Sequence, residues 1–111
     1  MRFYGIPSED RVLEIIENIM DGEWIYEDVK EKKKEVLTAE VAKERVRELV
    51  NQVKNWKQQL TTLAKATVFI FVHEPDSPKA FKIYDTSSLG CSTKLTPPRW
   101  KVYLKELEGN V

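Results

Sequence analysis

Asp21-Gly22-Glu23-Trp24-Ile25-Tyr26-Glu27-Asp28-Val29-Lys30-Glu31-Lys32-Lys33-Lys34-Glu35 connects two helical patterns, and the architecture turns on whether it is itself helix or strand. Gly22 is placed to end the preceding helix, since glycine takes the left-handed conformation that closes helices. Beyond Tyr26 the stretch is polar, with Val29 the one aliphatic residue between Glu27 and Glu35. A short helix from about Tyr26 to Lys34, with Ile25 and Val29 turned inward, competes with an exposed strand over the same residues. Glu and Lys are good helix formers and, with Asp, are depleted in strands, so the helix is the preferred reading.

Upstream, Val12, Ile15, Ile16, Ile19 and Met20 recur at the spacing of one helical face, which predicts a helix from about Glu9 to Met20. Ser8 is its expected N-cap, with Glu9 and Asp10 complementing the positive helix end. Residues 1–6 are a short strand or arm. Downstream, Thr38 should cap a long helix whose apolar stripe is Ala42, Val46, Leu49, Val50, Val53, Trp56, Leu60 and Leu63. Those spacings, mostly three and four, make a packing seam that runs to about Ala64 or bends near Asn51 or Asn55.

Past Lys65 the pattern becomes that of strands. Thr67 to His73 and Ala80 to Tyr84 are rich in β-branched and aromatic residues and flank the proline-bearing loop Glu74 to Lys79. Thr86 to Pro98 reads as a loop, and Trp100, Val102 and Leu104 alternate with Lys101, Tyr103 and Lys105 as in a half-buried strand. The expected fold is α+β in a single domain, 1–111. Its helical part is about 8–65 and its β part about 66–107, an antiparallel hairpin plus a third strand.

The chain has 111 residues, enough to bury roughly two-thirds of its unfolded surface in one core. A lone cysteine, Cys91, cannot form an internal disulfide, and no leader pattern opens the chain, so a reducing, cytoplasmic setting is expected. The longest largely apolar run, Ala66 to Val72, is far short of the roughly 20 residues that span a bilayer. Net charge is zero, but unevenly distributed. Residues 1–28 carry two basic and eight acidic side chains, whereas residues 29–65 carry ten basic and five acidic. A neutral protein can still present a local basic face to a polyanion.

The helix Val12 to Met20, the break Asp21-Gly22-Glu23-Trp24, the polar segment Tyr26 to Lys34 and the capped opening Thr38-Ala39-Glu40-Val41 together resemble the winged-helix family of DNA-binding domains. That resemblance implies a third helix lying in the major groove and a β-hairpin wing against the flanking backbone. Carried over by position, the reader helix begins at Ala39. Lys43, Arg47, Asn51 and Lys54 then point away from the seam, with Lys32, Lys33 and Lys34 on the backbone. The side chains suit the task, since Arg reads guanine edges, Asn reads adenine and Lys holds phosphate. The rival account of Lys43, Arg47 and Lys54 is a solvated helix face interleaved with Glu40, Glu44 and Glu48, and that of Lys30, Lys32, Lys33 and Lys34 a solvated run.

The expected function is therefore a DNA-binding regulator of transcription that reads duplex DNA, with a homodimer as one form. A different class is a small protein-interaction module, an inhibitor or assembly factor, docking through Val53, Trp56, Leu60 and Leu63 or through the apolar hairpin. Phe69, Phe71, Phe81, Tyr84, Trp100 and Tyr103 have two readings: core residues, or an exposed set beside lysines that stacks on single-stranded bases. No enzyme is expected. His73 and Cys91 lack an orienting motif, one His and one Cys are too few for a metal, and the glycines are scattered singly rather than gathered in a phosphate loop. No cofactor and no metal are called for.

Overall fold

A computed structural model describes residues 1–60, 67–85 and 97–111. In chain order the elements are β1 (Tyr4–Ile6), α1 (Glu9–Ile15), β2 (Glu23–Asp28), β3 (Lys33–Thr38), α2 (Ala39–Gln58), β4 (Ile70–His73), β5 (Ala80–Ile83) and β6 (Trp100–Leu104). Short 3-10 turns cover Ile16–Asn18 and Lys105–Leu107. The strands form one six-stranded sheet in the order β1-β4-β5-β6-β2-β3, every neighbouring pair antiparallel.

This arrangement overturns the winged-helix-like layout of N-terminal helices followed by a C-terminal hairpin. The first 38 residues already supply β1, β2 and β3, which leaves a gap that the β4-β5-β6 meander fills from the other end of the chain. The expected helix over Tyr26 to Lys34 is instead a hairpin. Glu23–Asp28 pairs with Lys33–Thr38 over its full length, Trp24 opposite Leu37 and Asp28 opposite Lys33. Its turn is shaped by the Glu31 amide donating to Asp28 Oδ1 at 3.0 Å and by Lys32 at φ 56°, in the left-handed region.

Propensity misleads here because β3 is an edge strand with five of its six residues exposed. Lys33, Lys34 and Glu35 bury little there, and charged side chains on an edge discourage pairing with another chain. Its neighbour β2 is central. Trp24 and Ile25 are buried on opposite faces, and the Trp24 indole N–H donates to the Met20 carbonyl at 2.9 Å. The first helix is also shorter than expected, since α1 gives way to the 3-10 turn at Ile16. Both N-caps are as the sequence implies. The Arg11 amide donates to Ser8 Oγ at 3.3 Å and the Val41 amide to Thr38 Oγ1 at 3.3 Å.

α1 and α2 lie on one face of the sheet. There Val12, Ile15 and Ile16 join Ala42, Val46, Leu49, Val50 and Val53 against Trp24, Ile70, Val72, Phe81, Ile83 and Val102. Trp56, half-buried, extends this core by stacking on Trp100 (6.0 Å between centroids) and meeting Phe69 edge-on (6.4 Å). On the outer face a smaller cluster of Ile25, Ala80 and Tyr103 is flanked by Phe3, Leu107 and Val111.

Candidate functional site

The cations expected to contact DNA from α2 are engaged within the protein. Lys43 and Arg47 both reach Glu17, at 2.7 and 3.1 Å, and Arg47 also pairs with Glu44. Lys54 binds Asp10 at 2.8 Å. Lys57 binds Glu9 at 2.8 Å and donates to the Pro7 carbonyl, and Arg45 binds Glu35 at 3.0 Å while lying over the Tyr26 ring. Every Lys and Arg of α2 thus has a carboxylate partner, most of them from the acidic segment that precedes β2. The Lys43 hydrogen bond and, after it, Arg47 hold the Glu17 carboxyl below its usual range. The acidic start and basic middle of the chain are two sides of one internal seam.

The other expected residues are dispersed. Asn51 is exposed on α2, Lys32 and Lys33 are exposed at the β2-β3 turn, and Lys34 pairs with Glu108 at 2.7 Å. Val53 is fully buried, and Trp56 and Leu60 are half-buried against the protein's own core. Leu63 and Cys91 lie outside the described residues. His73 Nδ1 donates to the Arg2 carbonyl at 2.7 Å, which fixes that nitrogen as the protonated one because a carbonyl can only accept. Among the described residues no group of three or more His, Cys, Asp or Glu is placed to hold a metal ion, and no helix is long and apolar enough to cross a membrane.

The outer face of the sheet brings together a different set. One transverse row follows directly from strand register: Gly5 opposite Phe71, Phe71 opposite Lys82, Lys82 opposite Lys101, Lys101 opposite Glu27, and Glu27 opposite Lys34. Gly5 leaves room for the Phe71 ring, because a β-carbon there would stand 2.9 Å from it. The Phe71 ring meets Tyr84 edge-on at 5.6 Å. Lys82 Nζ sits 4.3 Å from the centre of the Phe3 ring, which in turn is 5.7 Å from His73.

Two ammonium groups side by side on half-buried positions are electrostatically unfavourable. Burial, and then the positive charge of Lys101, pulls the Lys82 ammonium below its ordinary value. Among the described residues neither lysine has an Asp or Glu side chain as partner. Lys101 donates to the Val111 main-chain oxygen at 3.0 Å, and Glu27 is engaged by the Tyr103 hydroxyl at 3.1 Å. An anion laid across this row would relieve the repulsion.

Sequence reasoning counted the aromatics of these strands but did not single out Lys82 or Lys101. The available signal was their position between inward-facing residues, Phe81 and Ile83 on one strand, Trp100 and Val102 on the other. Strand alternation then puts both lysines on the opposite face.

A protein of Aquifex aeolicus (strain VF5) described as "Uncharacterized protein" is 60% identical to this chain over 109 residues, spanning 98% of this chain and 89% of that relative. No family model and no solved structure matches the chain.

Proposed function

We propose that this chain, which belongs to one family with the Aquifex aeolicus protein, is a non-enzymatic module that binds single-stranded nucleic acid on the outer face of its sheet. The observation that carries the reading is the Lys82–Lys101 pair. It lacks an Asp or Glu side-chain partner among the described residues, whereas the Lys and Arg of α2 are all paired with such side chains. Such a pair is a ready phosphate site, and Phe71, Tyr84 and Phe3 beside it offer ring surface to unstacked bases. A duplex hides its base faces, so these rings would add little to duplex affinity. The partnered cations of α2 would have to give up Glu17 and Asp10 before meeting phosphate.

The test is a fluorescence-anisotropy titration of a labelled oligo(dT) and of a duplex of equal length. It uses wild-type protein, Lys82→Gln with Lys101→Gln, and Arg47→Ala. The single strand should bind more tightly than the duplex, and the double lysine variant should lose about tenfold or more while Arg47→Ala changes little. Absence of binding at low salt would sink the proposal. Preferential duplex binding that Arg47→Ala abolishes would overturn it in favour of reading by α2.

A further inference from the structure

The outer face is partly occupied by the protein's own segment Lys105–Val111. After β6 the chain makes the 3-10 turn Lys105–Leu107, then a second turn in which the Asn110 amide donates to the Leu107 carbonyl at 2.9 Å. Gly109 stands at φ 91°, a conformation that side-chain-bearing residues rarely adopt, and the chain reverses there. The reversal brings the segment back over the face described above.

Once there it makes the contacts an anionic ligand would make. Glu108 binds Lys34 at 2.7 Å, the Val111 oxygen accepts from Lys101 at 3.0 Å, and Leu107 and Val111 pack against Ile25, Ala80 and Tyr103. Lys34 holds the Glu108 carboxyl below its usual range. These holds are modest. Glu108 and Lys34 are both substantially exposed, as are most residues of the segment and its Lys105–Glu23 pair at 3.2 Å, so undocking uncovers no fully buried residue of the segment and costs the main core only the half-buried Leu107 at its edge.

We infer that Lys105–Val111 is a built-in competitor that shields Lys101 and Lys34 and must lift for the face to take a strand of nucleic acid. The inference rests on the proposed function. Apparent affinity is then the intrinsic affinity reduced by the fraction of molecules in which the segment is lifted. Weakening its anchorage should tighten binding without adding any contact to the ligand.

The test compares oligo(dT) affinity for wild type, Leu107→Ser and Glu108→Ala, with thermal midpoints measured alongside and the Val111 methyl resonances followed by NMR during titration. Leu107→Ser should bind about three- to tenfold tighter. Glu108→Ala should fall between it and wild type at an unchanged midpoint, and the Val111 methyls should move toward random-coil positions as the oligonucleotide saturates. Equal or weaker binding by both variants, with a wild type that binds, overturns this inference alone. No binding by any of the three overturns it together with the proposed function.

Discussion

Asp28 and Asp85 lie at the end of the sheet where β2 passes β6, each less than a tenth exposed, and both are held by Arg99. Arg99 reaches Asp28 at 3.1 Å through Nε and at 3.3 Å through a second nitrogen, reaches Asp85 at 3.4 Å, and lies over the Trp100 ring. Burial alone would raise the Asp28 carboxyl, but hydrogen bonds from Arg99 and the Glu31 amide outweigh it, and the group is held below its ordinary value of 3.8. A carboxyl depressed in the folded state stabilises above the unfolded pKa, and that contribution disappears as pH falls through the folded value. Asp28→Asn should therefore cost about 2 kcal/mol at neutral pH. This is less than the 3 to 5 kcal/mol typical of a broken buried pair, because Arg99 keeps Asp85. Urea unfolding from pH 7 downward should show a constant gap between wild type and variant to about pH 5, then a narrowing gap. A gap that widens on acidification would contradict the assignment.

Elements place residues in relation to one another, and the antiparallel α1–α2 seam is the clearest case. Glu9 with Lys57 and Asp10 with Lys54 sit at one end, Glu17 with Lys43 and Arg47 at the other. These pairs differ in environment. Lys57 and Glu9 are each only 12% exposed at the side chain, and Lys57 also lies 5.7 Å from the Phe69 ring centre, whereas Asp10 is 77% exposed. Lys57→Ala should destabilise by about 2 kcal/mol, through an unpaired half-buried Glu9 and lost packing. Lys54→Ala should stay within about 0.5 kcal/mol. Thermal or denaturant melts of the two variants check the contrast, and equal effects would mean the seam is uniformly solvated. The α2 stripe was legible in the sequence because Val46, Leu49, Val50 and Val53 bury one continuous side, and so were the caps at Ser8 and Thr38. Strands β2 and β3 were not. Trp24 and Ile25 are adjacent apolar residues buried on opposite faces, which mimics a helical start, and β3 carries edge charges that local propensity assigns to helix. Pairing of β2 with β6 joins Trp24 to Leu104, 80 positions away in sequence, and no local pattern encodes that.

At the scale of the molecule, zero net charge and the two oppositely charged thirds have a common cause. Glu9, Asp10 and Glu17, before β2, meet four of the basic residues of α2 inside the same fold, so part of the imbalance along the chain cancels in space. The same pairing that hid the helix cations from view as a binding face is what leaves Lys82 and Lys101 conspicuous. It also bounds how strongly a polyanion can be held. For single strands, log affinity falls with log salt by about 0.7 per phosphate neutralised. Lys82 and Lys101 alone give a slope of about −1.4, and adding the exposed Lys32 and Lys33 at the end of the sheet gives about −2.8. A fourfold rise in salt should then weaken oligo(dT) binding by about 7-fold in the first case and about 50-fold in the second. Replacing Lys32 and Lys33 by Gln separates them: a slope that stays near −1.4 confines the contact to the sheet face, and one that drops from near −2.8 extends it to the β2-β3 turn. A slope steeper than about −5 would require more cations than the outer face and turn possess, and the strand would have to be running over the helices instead.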